Sequence, residues 1–136
     1  MAQKVMGSRP IGRPIRLSFY HLPMPPVVII TGPISREELK KHLLNDVLVK
    51  AVVDIEERMM AIGGTMHADE EQELLNKGSE QEHLWGINLY PDDFSEGFIE
   101  FDSMINIRPR QNNRSRGVED PFIQKEIRAI VSFLVP

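Results

Sequence analysis

The chain has 136 residues, enough for one packed domain and too few for two. Its 41% hydrophobic and 26% charged residues exclude wholesale disorder, and its lack of cysteine excludes disulfides, zinc–thiolate sites and a thiol nucleophile. The net charge of −4 is uneven: residues 1–26 carry Lys4, Arg9, Arg13 and Arg16 and no acid, while the remainder sets 12 Lys and Arg against all 20 acids.

The acidic body argues against nucleic-acid binding, since like charges repel a phosphate backbone at long range. No apolar run approaches the roughly 18–20 residues of a membrane span. The chain therefore reads as a soluble cytoplasmic protein with no membrane partner.

Residues 1–26 hold five of the ten prolines and no sustained period, which predicts a flexible or extended basic leader. They lack the apolar region of a secretory signal, and only their Arg content resembles an organellar transit peptide. An upstream extension, with Met24 as the true start, is the favoured reading because the packed domain begins at Val27.

Val27–Ile30 is β-branched and closed by Gly32-Pro33, which predicts a buried strand and a turn. Ser35 and Glu38 have capping-box spacing, and Leu39, Leu43 and Leu44 form a stripe, so a helix is expected over 36–44. Residues 49–55 and 59–62 predict a hairpin, with one helix over 47–60 as the competitor; β-branching at Val49, Val52, Val53 and Ile55 favours the hairpin. Asp69 is expected to cap a short helix that Gly78 stops. Strands follow at 84–90 and 98–108. Asp120-Pro121 opens a last helix, whose stripe is Ile123, Ile127, Ile130, Val131 and Leu134.

These elements define a single α+β domain over 27–136, in the order β-α-β-β-α-β-β-α. The expected architecture has two layers: a mixed or mostly antiparallel sheet with helices on one face. Strand side chains alternate, so Ala51, Val53, Trp85, Ile87, Leu89, Ile99 and Phe101 share an apolar face. The opposite face would gather Asp54, Glu56, Asn88, Tyr90, Glu100, Asp102, Asn106 and Arg108. A half-solvated sheet needs no function. Asn and Asp are nevertheless poor strand formers, and three of them inside strands suggest groups kept for hydrogen bonding.

Two clusters carry candidate chemistry. Asn113-Arg114-Ser115-Arg116 lies between a strand end and a helix start, an arrangement suited to phosphate or carboxylate. Internal pairing of these arginines with Glu100, Asp102, Glu119 or Asp120 is the competing reading. His67 and Asp69, joined by Asp102 or Asp54, form a candidate N/O site for a divalent ion, although the spacing matches no established motif. Helix capping explains the same acids. The chain has no GxSxG elbow, P-loop or GxGxxG.

The blocks KAVVDIEERMMAIGGTMHADEE, GSEQEHLWGINLYP, IEFDSMINIRP and NRSRGVEDP resemble a family of small prokaryotic proteins known as a domain of unknown function. The resemblance spans residues 27–135. It implies a single compact prokaryotic cytosolic domain starting near Val27, and it implies no activity, cofactor or functional residue.

The favoured reading is a polar pocket for a small anionic ligand or a partner's charged group. Arg108, Arg114 and Arg116 would hold the anion, Asn88 and Asn106 would orient it, and Asp102 would fix the arginines. The alternative is a metal-dependent hydrolase with His67, Asp69 and Asp102 on a divalent ion and Glu56 or Glu100 as general base. A third reading is a structural or interaction module, dimerised through the sheet or a strand edge.

Overall fold

The computed structural model describes residues 26–136, so the expected leader lies, but for Pro26, outside the described residues. Its strands are β1 (Val28–Ile30), β2 (Val49–Asp54), β3 (Met59–Ile62), β4 (Leu84–Leu89) and β5 (Ile99–Glu100). Its α-helices are α1 (Arg36–Lys40), α2 (His67–Asn76) and α3 (Pro121–Leu134). All strand pairs are antiparallel, in the order β1-β3-β2-β4-β5. The α+β class, the element order and the 49–62 hairpin are as expected.

Local chemistry sets most of the boundaries. Ser35 Oγ accepts from Glu38 N at 3.0 Å and starts α1. This helix stops at Lys40 rather than Leu44, because Leu44 N donates to Leu48 O at 2.7 Å and turns the chain toward β2. Asp54 closes the hairpin: its Oδ1 accepts from the Glu56 and Glu57 amides at 2.9 and 3.0 Å, and its Oδ2 accepts from Ser79 Oγ at 2.6 Å. Asp120 Oδ1 accepts from Phe122 N at 2.8 Å with Pro121 following, the N-terminus expected for α3.

Odd-numbered side chains of β2 and β4, among them Ala51, Val53, Trp85 and Ile87, pack with Met60 and Ile62 against Leu39 of α1 and Ile127, Ile130, Val131 and Leu134 of α3. The other face departs from the expected wet surface. Helix α2 lies across it, burying Val52, Ala61 and Leu84 against Leu74. Asp54, Asn88 and Asn106 are consequently buried at 1%, 5% and 0% exposure. Between α2 and the β5 edge, residues 101–117 fill what remains of this face. The strand expected over 98–108 shortens there to two residues, followed by 3-10 turns at Met104–Asn106 and Pro109–Gln111.

Candidate functional site

With little regular structure, the 101–117 segment satisfies its backbone through side chains. Asn106 presents its amide to the open edge of β4 as a strand would: Oδ1 accepts from Gly86 N at 2.8 Å and Nδ2 donates to Gly86 O at 2.9 Å. The same Nδ2 donates to Arg116 O at 2.9 Å. Asn113 Nδ2 donates to Asn106 O and Gly117 O, both at 2.7 Å, while its Oδ1 accepts from Glu119 N at 2.8 Å. Arg108 donates to Ile105 O at 3.0 Å and to Leu84 O, and it lies 4.7 Å over the Trp85 ring. Asn106 and Arg108, expected as ligand residues, are thus committed to the framework.

This packing leaves no room for a side chain at residue 86. A Cβ on Gly86 would sit 2.6 Å from Ser103 Cβ and Oγ. Gly86→Ala is expected to lower the unfolding free energy by about 1–3 kcal/mol in urea titrations. Ser103→Gly in the same chain should restore part of that loss, because it removes the two closest atoms but also the Oγ that accepts from Ile105 N.

Beside this framework lies a pocket of about 220 Å³, formed where β2, the start of α2 and the 101–117 segment meet. Lys50, His67 and Arg116 line it, together with Ser103, Met66 and Met104, and no carboxylate does. Among the described residues, Lys50 has no carboxylate within ion-pair distance. Arg116 donates from Nε to Asp102 Oδ1 at 2.6 Å, and its terminal nitrogens make no hydrogen bond to the described residues. That bond holds the Asp102 carboxyl below its usual range. The guanidinium is therefore anchored through Nε by a residue outside the lining and keeps its terminal nitrogens free of partners among the described residues.

His67 is 7% exposed, and its Nε2 lies 2.8 Å from Ile87 O. A carbonyl only accepts, so Nε2 carries the proton and Nδ1 keeps a lone pair. Burial lowers the ring's pKa, which keeps it neutral at pH 7. Behind the pocket, Asn88 Nδ2 and Tyr90 Oη both donate to Glu100 Oε1 at 2.9 Å. Asn88 Oδ1 is buried without a partner among the described residues.

Helix α2 begins two residues before the expected cap: Met66 is its N-cap, without a side-chain bond, and Asp69 lies in the first turn. Glu70 fixes this entry instead, its Oε2 accepting from Gly64 N at 2.8 Å. Glu70 is fully buried, and its Oε1 has no partner among the described residues. Burial pushes its carboxyl up to about 9, against the Gly64 amide and the Lys50 charge, so Glu70 is protonated at neutral pH.

The structure therefore gathers part of the expected site. Arg116 lines the pocket and is bonded to Asp102, which does not line it. Asn88 stands behind, and the exposed Arg114 side chain lies outside the lining. Lys50 is the cation that sequence reasoning passed over, although it has the same parity as Asp54 on β2.

The metal reading gathers less. The Asp69 carboxylate accepts from Thr65 Oγ1 at 3.4 Å, and the Nε2 of His67 is taken by Ile87 O. Among the described residues, Glu80, Glu82 and His83 bring three ligating atoms within 4.8 Å of one another, a group that includes none of His67, Asp69 and Asp102. Glu56, an expected general base, is exposed on the hairpin turn.

Residues 28–134 match the model of a family described as a protein of unknown function, DUF5674. The chain belongs to the DUF5674 family. No curated protein and no solved structure matches it. The match covers the whole DUF5674 sheet and all three α-helices, so framework and pocket both lie within the family domain. No helix among the described residues is long and apolar enough to cross a membrane.

Proposed function

We propose that this DUF5674 protein binds a small anionic ligand in the 220 Å³ pocket between the start of α2 and the 101–117 segment. Lys50 and Arg116 supply the charge and the Ser103 hydroxyl a donor, while the neutral His67, its proton given to Ile87 O, can only accept from a protonated oxygen of the ligand. One observation carries this reading: the lining holds two cations and no acid, and only Arg116 is paired, with Asp102 outside the lining. Clefts lined by one sign of charge favour the opposite ion. The larger depressions support it less. The one of about 720 Å³ is lined by Asp92 and Asp93 and by no cation. In the one of about 570 Å³, Arg36 already donates to Pro91 O and Asp93 O.

Titration of the full chain with inorganic phosphate, read by calorimetry and by melting temperature, tests the proposal. A saturable exotherm and a rise in melting temperature are expected. Lys50→Met should weaken binding by roughly 10- to 100-fold, the effect of removing one charge-assisted hydrogen bond. Arg116→Ala should do the same, while Arg114→Ala, outside the pocket, should leave the affinity unchanged. Phosphate binding that survives Lys50→Met and Arg116→Ala together would place the anion elsewhere and end this reading.

A further inference from the structure

We infer that the anion this pocket selects carries a compact aromatic group, held between the thioethers of Met66 and Met104. The inference rests on the anion-binding reading and extends it to the ligand's other half. The cations occupy only part of the lining. Met66 and Met104, with Ala68 and Ile105, supply an apolar part. The two methionines come from different elements, Met66 capping α2 and Met104 opening a 3-10 turn, yet they border one recess. Both are mostly exposed, at 60% and 64%. A bare phosphate or carboxylate would satisfy Lys50 and Arg116 and leave both methionines in water. A ligand with an aromatic ring beside its charge would bury them.

Methionine suits that role chemically. Its side chain is unbranched and adapts to irregular shapes, and its sulfur makes favourable contacts near an aromatic ring edge. Size narrows the ligand further. At about 220 Å³ the recess falls below the roughly 300–1,000 Å³ of pockets for drug-sized ligands, so one ring with one anionic group fits better than a dinucleotide or a lipid. Lys50 and Arg116 would take the anionic head at the polar end, and the ring would lie across the methionine end.

The test compares inorganic phosphate, phenyl phosphate and benzoate on the full chain, by calorimetry and by methyl NMR of ¹³C-methionine-labelled protein. Met66 and Met104 resonances are assigned by single substitution. Phenyl phosphate is expected to bind about 2- to 10-fold tighter than inorganic phosphate for each methionine contact, and to shift both methyl signals. Comparing phenyl phosphate with benzoate then tells which anionic head the cations prefer. Met66→Ala and Met104→Ala should each bring the affinity for phenyl phosphate down toward that for inorganic phosphate measured on the same variant. Equal binding of phosphate and phenyl phosphate, or methyl signals of residues 66 and 104 that stay still, would overturn the aromatic inference and leave anion binding standing. If none of the three ligands binds, both ideas fall.

Discussion

Asn106→Ala should cost the domain about 3–5 kcal/mol of unfolding free energy, among the largest effects expected of any single substitution here. One buried amide serves three backbone groups, Gly86 N, Gly86 O and Arg116 O, at 2.8–2.9 Å. A buried polar group left without a partner costs about 1–3 kcal/mol, and alanine would orphan Gly86 N and Gly86 O, while Arg116 O keeps its bond from Ser103 N at 2.9 Å. Water has little access, since Asn106 is fully buried between β4 and the segment that crosses it. The loss should appear in urea unfolding as a lower midpoint at unchanged slope. It should also weaken phosphate binding, because the same amide holds the backbone of Arg116. A midpoint shift worth less than about 1 kcal/mol would mean that the segment does not depend on this bridge.

Glu70 predicts a different signature, one of pH. Its folded pKa of about 9 stands far above the ordinary 4.5 of an unfolded glutamate. Between those values the folded state keeps a proton that the unfolded state has released. Stability therefore falls as pH rises, by up to about 1.4 kcal/mol per unit. Other groups act outside the upper part of this window. His67, lowered by burial, contributes a loss of stability only as pH falls through and below its ordinary 6.5. Asp102 and Glu119, held down by hydrogen bonds, act in the acid range below 4.5, and Tyr90 is raised above 10.

Among the shifted groups of the described residues, the span from pH 7 to 9 thus isolates Glu70. The wild-type chain should lose up to about 3 kcal/mol across it, whereas Glu70→Gln, which keeps an acceptor for Gly64 N and cannot ionise, should stay nearly flat. The variant should be the more stable protein at pH 9. Parallel curves for the two proteins would show that Glu70 is already ionised at pH 7.

What was legible in the sequence is what short-range chemistry decides. Asp120-Pro121 starts α3 because an aspartate can cap and a proline needs no donor, and the alternation in β2 and β4 places Val53 and Trp85 side by side in the larger core. The position of α2 is a tertiary choice. Leu74 and Leu75 announce that the helix is buried on one side, but nothing local says which face of the sheet receives it. The 98–108 segment misleads for another reason. Ile99, Phe101, Ile105 and Ile107 alternate as a strand would, but Ser103 and Asn106 bind backbone with their side chains and turn the chain away after Glu100. At the site, the arginines advertised themselves by clustering. Lys50 did not, because a single lysine on a strand looks like ordinary surface until α2 closes over its neighbours.

The sheet's two outer strands have a consequence for how copies of this protein meet. At three residues in β1 and two in β5, each border exposes few unpaired backbone amides and carbonyls. Beyond β5, the side chain of Asn106 occupies the next stretch of the β4 border, the place an incoming strand would need. Among the described residues, such short, plugged margins give a neighbouring chain little backbone to template on, and they guard the sheet against edge-to-edge growth at high concentration.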